Sequence, residues 1–285
     1  MGAKQVWGRK MRQKGYEIRP RSRVSLDLVR EVWFFRHLIG IFIWRDILVR
    51  YKNTVIGAAW YLFQPLCMML TFTVFFSHAF TSYIGSVPYP LFSYSGLLLW
   101  QMFSRSLSLG ASSLTMFEAI IAKIYFPRII APLSMVLGTV FDFAIAGVLL
   151  VILMTYYGVG ATANIFFIPI IVWMVLLCAM GLSLILSALD AKYRDIRHTI
   201  PLVIQIWMFC TPIMYPVAYV PEQWRRLYEL NPMVGLTEWF RWLLLSCGNQ
   251  PSVSSLYMSA AMSLSMFFIG VYVFQNAQGN IIDTL

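Results

Sequence analysis

The groups on this chain that could do acid–base, metal or phosphate chemistry are few, and their spacing excludes most of it. A glycosidase or glycosyl transferase site draws on two or more carboxylates brought together. The acids beside the long apolar stretches are Asp142, Asp190, Asp195 and the trio Glu222, Glu229 and Glu238, so only long-range folding would gather them. A zinc site needs clustered His or Cys, yet His37, His78 and His198 are scattered, and Cys67, Cys178, Cys210 and Cys247 form no CxxC pair. Nucleotide hydrolysis within the chain would call for a G-x-x-x-x-G-K-[ST] loop, whose backbone amides hold phosphates, but no Gly-Lys pair occurs anywhere. The residue types point away from a catalytic centre, and no metal or cofactor is expected on this chain.

One ionisable group is placed unusually. Asp142 lies near the middle of an apolar run, in GTVFDFAIAG at 138–147. A carboxylate at mid-bilayer costs ~2.5–3.5 kcal/mol on insertion scales, so it must face other helices or water. It would either line a pathway and carry protons, or be satisfied by an inter-helix hydrogen bond where Gly138, Ala144, Ala146 and Gly147 allow close approach. With no second buried ionisable group visible, the hydrogen bond is the preferred reading. Aromatic residues make up 16% of the chain, and most fall near the ends of apolar stretches, as interface belts do. A minority suit a sugar pathway, because flat rings pack against the C–H faces of pyranoses.

The elements that must position these residues are membrane spans. Hydrophobic residues are 59% of the 285 residues, charged residues 12%, and the mean hydropathy is +0.70, whereas soluble domains sit nearer ~25% charged. A span needs about 20 apolar residues. Val55–Phe80, Leu91–Leu109, Ile129–Tyr156, Ile165–Leu189 and Ser254–Phe274 qualify, and the shorter Ile200–Met214, with Pro201 and Pro212, reads as a sixth span completed by irregular backbone. Six is the expected count, with five the alternative. Thirteen of the 22 Lys and Arg residues precede residue 55, which places the N-terminus in the cytoplasm. With six spans both termini are inside, although Arg225, Arg226 and Arg241 put basic charge in the last external segment.

Residues 1–24 read as a disordered basic arm attracted to the anionic leaflet. Residues 25–53 read as an interfacial amphipathic helix, with Arg45, Asp46, Arg50 and Asn53 on one face and Ile43, Trp44, Ile47, Leu48 and Tyr51 on the other. An extension of the first span is the alternative. Residues 54–285 form the spanning domain. Within it, the external segment 216–252 holds two short half-polar helices separated by Asn231-Pro232. They are read as re-entrant elements, or else as helices resting on the outer surface. Irregular backbone at membrane depth is tolerated only when covered by protein or facing a watery cavity.

Three strings carry a resemblance: RDILVRYKNTVIGAAWYLFQPLCMMLTFTVFF at 45–76, AKIYFPR at 122–128, and DAKYRDIRHTIP at 190–201 followed by CTPIMYP at 210–216 and LNP at 230–232. Together they resemble the membrane permease subunit of polysaccharide-exporting ABC transporters in the type-2 exporter superfamily, nearest to the O-antigen and teichoic-acid branch. The likeness covers roughly residues 30–285 and leaves the basic arm unassigned. It implies an all-α integral membrane protein of the bacterial cytoplasmic membrane, non-catalytic, with six spans, an interfacial helix and re-entrant gate helices. It further implies a homodimer bound to two cytoplasmic ATP-binding subunits that hold the ATP and Mg, a lipid-linked polysaccharide substrate, contact with membrane lipids, and no nucleic-acid partner. Carried onto this chain, the likeness makes Phe117, Glu118, Lys123, Tyr193, Arg194 and Asp195 ATPase-contacting residues, with Arg45, Asp46 and Arg50 at the same surface. Pro216, Trp224, Tyr228 and Asn231 would lie at the outer gate, and Trp60, Tyr61, Gln64, Phe72, Asp142, Gln205 and Trp207 are candidates for the channel. Two other readings stay open: a permease for a different substrate (teichoic acid, capsule or a drug) and an integral membrane glycan transferase.

Overall fold

In the computed structural model, the described residues are 26–52, 59–160, 162–193, 195–246 and 250–281, and all regular structure among them is helical. The basic arm, Arg194 and parts of the 45–76 string lie outside them. The helices are α1 (Leu26–Phe34), α2 (Arg36–Tyr51), α3 (Ala59–Ile84), α4 (Tyr89–Ala111), α5 (Ser113–Met116), α6 (Glu118–Ile121), α7 (Ile130–Tyr156), α8 (Ile168–Lys192), α9 (Ile196–Phe209), α10 (Glu222–Tyr228), α11 (Pro232–Leu245) and α12 (Val253–Ile281). Two 3-10 turns, Ala163–Phe167 and Val217–Tyr219, join them.

Four segments among the described residues are long and apolar enough to cross a bilayer: Trp60–Ile84, Ile130–Tyr156, Ala163–Lys192 and Val253–Ala277. The expected count of six is therefore corrected in two places, for different physical reasons. The stretch expected as the second span forms α4, whose 23 residues reach about 35 Å at 1.5 Å per residue. It is long enough but too polar, with Ser93, Ser95, Ser104, Ser106, Ser108 and Arg105 along it. That composition suits a central helix: α4 packs on α3, α7 and α8, and most of its side chains are buried. The stretch expected as the sixth span forms only the 14-residue α9, about 21 Å long, after which the backbone unwinds.

Without a hydrophobic drive between helices in lipid, close packing and hydroxyl bonds must hold them. The α8–α12 contact, the most extensive in the fold, comes down to backbone. A Cβ added at Gly181 would fall 2.2 Å from the Met266 carbonyl oxygen, and one at Gly270 2.1 Å from that of Gly181. Around α4 the connection is polar. The Tyr94 hydroxyl donates to the Ala146 carbonyl at 2.8 Å, Ser106 and Thr139 share a bond of 2.7 Å, and Ser183 donates to the Ser106 carbonyl at 3.1 Å.

The expected interfacial helix is divided at Phe35 into α1 and α2. Its apolar side does face outward, with Ile41, Trp44, Leu48 and Val49 exposed. Its polar side does not face headgroups. Asp46 is buried and Arg50 nearly so, both turned against α7, because a carboxylate in that helix gives Arg50 a buried partner and Arg50 in turn pairs with Asp46.

The backbone contact between α8 and α12 sets the first expected outcome. Gly270→Val should lower stability by about 1–3 kcal/mol or more through overpacking, read as a drop in thermal midpoint in detergent. Gly160→Val, at a position with open space around it, should leave the midpoint unchanged.

Candidate functional site

Asp142 is 1% exposed and sits where α2, α4 and α7 meet. Arg50 donates Nη1 to Asp142 and Nη2 to Asp46, one helical turn earlier on α2. The Tyr51 hydroxyl donates to the other Asp142 oxygen at 2.5 Å. From α4, the Arg105 Nε lies 3.2 Å from Asp142 as an ion pair without hydrogen-bond alignment, and its guanidinium covers the Tyr61 ring at 4.5 Å. Two carboxylates thus meet two guanidinia, so the cluster is neutral. Burial works against the Arg50 charge, but Asp142 and Asp46 outweigh it and hold the group above its ordinary pKa. Burial first, and then the bond to Asp142, push the Tyr51 phenol up.

The cluster forms the charged end of a cavity of about 910 Å³. Tyr61, Trp60, Gln64, Trp100, Gln101 and Gln205 line it, together with Arg50 and Arg105. Four of the seven channel candidates from the sequence are therefore together in its wall. Asp142 lies behind the wall, bonded to its arginines. Trp207 stands edge-on to the Phe103 ring at 5.2 Å, and Phe72 is buried against Phe76. Amides, a phenol and flat indole faces around a wet space can exchange hydrogen bonds with hydroxyl-rich ligands while keeping hydrocarbon away.

Beyond α9 the chain unwinds through 210–216, and residues 211–214 and 216 are buried. Its carbonyls are taken one by one. The Arg241 guanidinium donates to Ile213 at 2.6 Å, to Pro212, and to Phe92 at 3.2 Å, while stacking on the Phe92 ring at 3.7 Å. Asn231 donates to the Cys210 carbonyl at 3.0 Å and accepts from the Met233 amide, capping α11 ahead of Pro232. Tyr89 donates to the Met214 carbonyl at 2.7 Å, and Tyr228 donates to the Tyr215 hydroxyl at 2.9 Å. Arg241 had read as an external charge; it is a buried clasp. Of the expected gate residues, Asn231 and Tyr228 hold this segment, Pro216 is buried within it, and Trp224 is exposed on α10.

At the opposite end, Phe117 is buried under Arg45, whose guanidinium lies 4.4 Å from its ring, and beside Phe42 at 4.6 Å. Glu118, Lys123, Tyr193 and Asp195 are exposed. Asp46 and Arg50 are separated from them by their inward turn. The sequence reading missed Asp190, which is 3% exposed and accepts from Thr115 at 2.9 Å and from the Arg197 Nη2 at 3.1 Å. It ties α5, α8 and α9 together. The spacing gives no local signal for the pair, which is neither i,i+3 nor i,i+4 and forms across the break between α8 and α9. No group of three or more His, Cys, Asp or Glu placed to hold a metal occurs among the described residues.

Residues 37–245 match the family described as ABC-2 type transporter. The O-antigen export system permease protein RfbA of Myxococcus xanthus is 26% identical over 91% of this chain and 100% of its own length. RfbA of Klebsiella pneumoniae is 26% identical over 88% of this chain and 96% of its own. The polysialic acid transport protein KpsM of Escherichia coli is 20% identical over 82% and 91% respectively.

Removing one member of the buried charge cluster should cost more than removing a pair. Asp142→Asn leaves an uncompensated guanidinium and should destabilise by about 3–5 kcal/mol. Arg105→Gln combined with Asp142→Asn restores neutrality while keeping the Asp46–Arg50 pair and should recover much of that, measured by thermal unfolding in detergent. Gly96→Ala places a Cβ 2.2 Å from the Arg241 Nη2. It should loosen the 210–216 segment, read as faster labelling of Cys210 by a thiol reagent.

Proposed function

Because this chain belongs to the ABC-2 type transporter family, related to the permeases of O-antigen and capsule polysaccharide export, we propose that it is the membrane subunit of an ATP-driven exporter carrying a lipid-linked, O-antigen-like polysaccharide outward across the bacterial cytoplasmic membrane. It is a non-catalytic transport permease. The observation that carries the reading is the large, open-sided cavity lined with amides, indoles and two arginines in a protein with several apolar helices. Each hydroxyl stripped of water without a partner is expensive, so a glycan needs a hydrated conduit with replacement hydrogen bonds. The O-antigen branch is preferred because the RfbA proteins align over more of both chains than KpsM does.

In this reading two copies pair and bind two cytoplasmic ATPase subunits, which hold the ATP and Mg. Residues 25–53 lie along the inner interface, residues 54–285 make the spanning domain, and 216–252 form the outer gate. Among these helices α4 is screened from lipid by its neighbours, and α9 runs into the clasped 210–216 segment. Both termini are then cytoplasmic. The exposed residues Glu118, Lys123, Tyr193 and Asp195, with Arg194, meet the ATPase. Force applied there reaches the cavity along α9: its base is fixed to Asp190 through Arg197, and Pro201, Ile204, Gln205 and Met208 on the same helix line the wall. ATP binding biases such states through contacts that differ between them.

Purification from native membranes should bring down a stoichiometric ATP-binding subunit. Reconstitution of that complex with a lipid-linked glycan should give ATP-dependent export. Asp195→Lys should cut export at least tenfold, about 1.4 kcal/mol of coupling, while the complex assembles and hydrolyses ATP. Glycan transfer chemistry by the chain alone would establish a membrane enzyme instead.

A further inference from the structure

A second, smaller cavity of about 230 Å³ lies between the 3-10 turn Ala163–Phe167, the start of α8, α11 and the start of α12. No charged residue lines it. Its inner wall is the Trp239, Trp242 and Leu243 face of α11, closed on the far side by Leu256 of α12. Its rim is Phe167 and Ile170, which are 55% and 50% exposed. Two of its walls thus belong to segments long and apolar enough to span a membrane, and the cavity continues their outward apolar surface. Asn164 supplies one amide at the edge. The Trp239 Nε1–H donates to the Ser252 carbonyl at 3.4 Å, so this indole has its polar edge toward the loop and its apolar body in the cavity, the posture of tryptophans at a bilayer interface.

We propose that this cavity is a binding site for one acyl chain of a bilayer phospholipid, with Asn164 donating to the ester region. The occupant is a hydrocarbon chain because an apolar recess open to lipid has hydrocarbon as its solvent, and a void there forfeits dispersion contacts that a chain restores. A second copy of this protein fits less well, since the recess is concave and narrow and would accept a lone side chain. The location gives the lipid a consequence. Trp239, Trp242 and Leu243 occupy the side of α11 opposite Arg241 at 3.6 residues per turn, so the chain backs the helix whose other face clasps 210–216. The site goes beyond the export reading and depends only on the protein's place in a bilayer.

The test titrates the full-length protein in detergent micelles with dioleoylphosphatidylcholine brominated across its double bonds. The reporter is the tryptophan emission lost in Trp239→Phe/Trp242→Phe. We expect saturable quenching at about one lipid per chain, and a raised thermal midpoint with the unbrominated lipid, since a ligand of the folded state stabilises it. Leu256→Phe, which fills the recess, should at least halve the quenching and abolish the midpoint shift. If that variant does not fold, the titration of the unmodified chain decides. Quenching that rises without saturation, or that is equal in Leu256→Phe, overturns the site. Shielding of this emission on dimer formation places a second copy on the face and overturns it as well. None of these outcomes bears on ATP-dependent glycan export, which is read in a separate assay.

Discussion

A charge taken out of water has to be answered within reach of its own side chain, and this requirement organises the interior of the protein. Effective penalties of several kcal/mol per ion follow from leaving it unanswered. Asp142 is met by Arg50, Arg105 and Tyr51, Asp190 by Arg197 and Thr115, and Arg241 by three backbone carbonyls. Each solution joins elements distant in sequence. The first seats α2 against α7 and α4, the second fixes the base of α9, and the third holds the unwound stretch against α11 and α4. The first lines one end of the cavity, and the second fixes the foot of α9, which supplies part of the cavity wall.

The unwound stretch is the clearest case of necessity. Backbone carbonyls buried in protein have no water to bond, so irregular structure there persists only with protein donors. Arg241, Asn231 and Tyr89 provide them from α11, its N-cap and α4. An arginine does this better than a lysine because its planar fork presents several donors at fixed angles. Gly96 is part of the same solution, since only the absence of a side chain lets the guanidinium lie against α4.

Much of this was legible beforehand. The helical class, four of the spans and the Pro break before α11 follow from apolar run length and proline position; the motifs do not by themselves say that Trp60, Tyr61, Gln64 and Gln205 share one wall. What escaped was pairing across distance. Asp142 was read as lacking an ionisable partner because Arg50 and Arg105 lie on other elements, and nothing local in the sequence announces that α2 turns its polar side inward. Arg241 was read as a loop charge for the same reason: its acceptors are carbonyls, which every residue has. The two missing spans failed on different grounds, α4 because burial by its neighbours removes the need for an apolar surface, and α9 because its remaining length is irregular.

The glycine contact between α8 and α12 has a mechanical consequence. Two long helices touching backbone to backbone at Gly181 and Gly270 have no side-chain layer to shear, and interlocked packing of this kind does not deform gradually. They make a stiff keel. Any swing that widens the interior must be borne by parts free of that contact, with α9 as the tiller and the clasped stretch after it as the pivot.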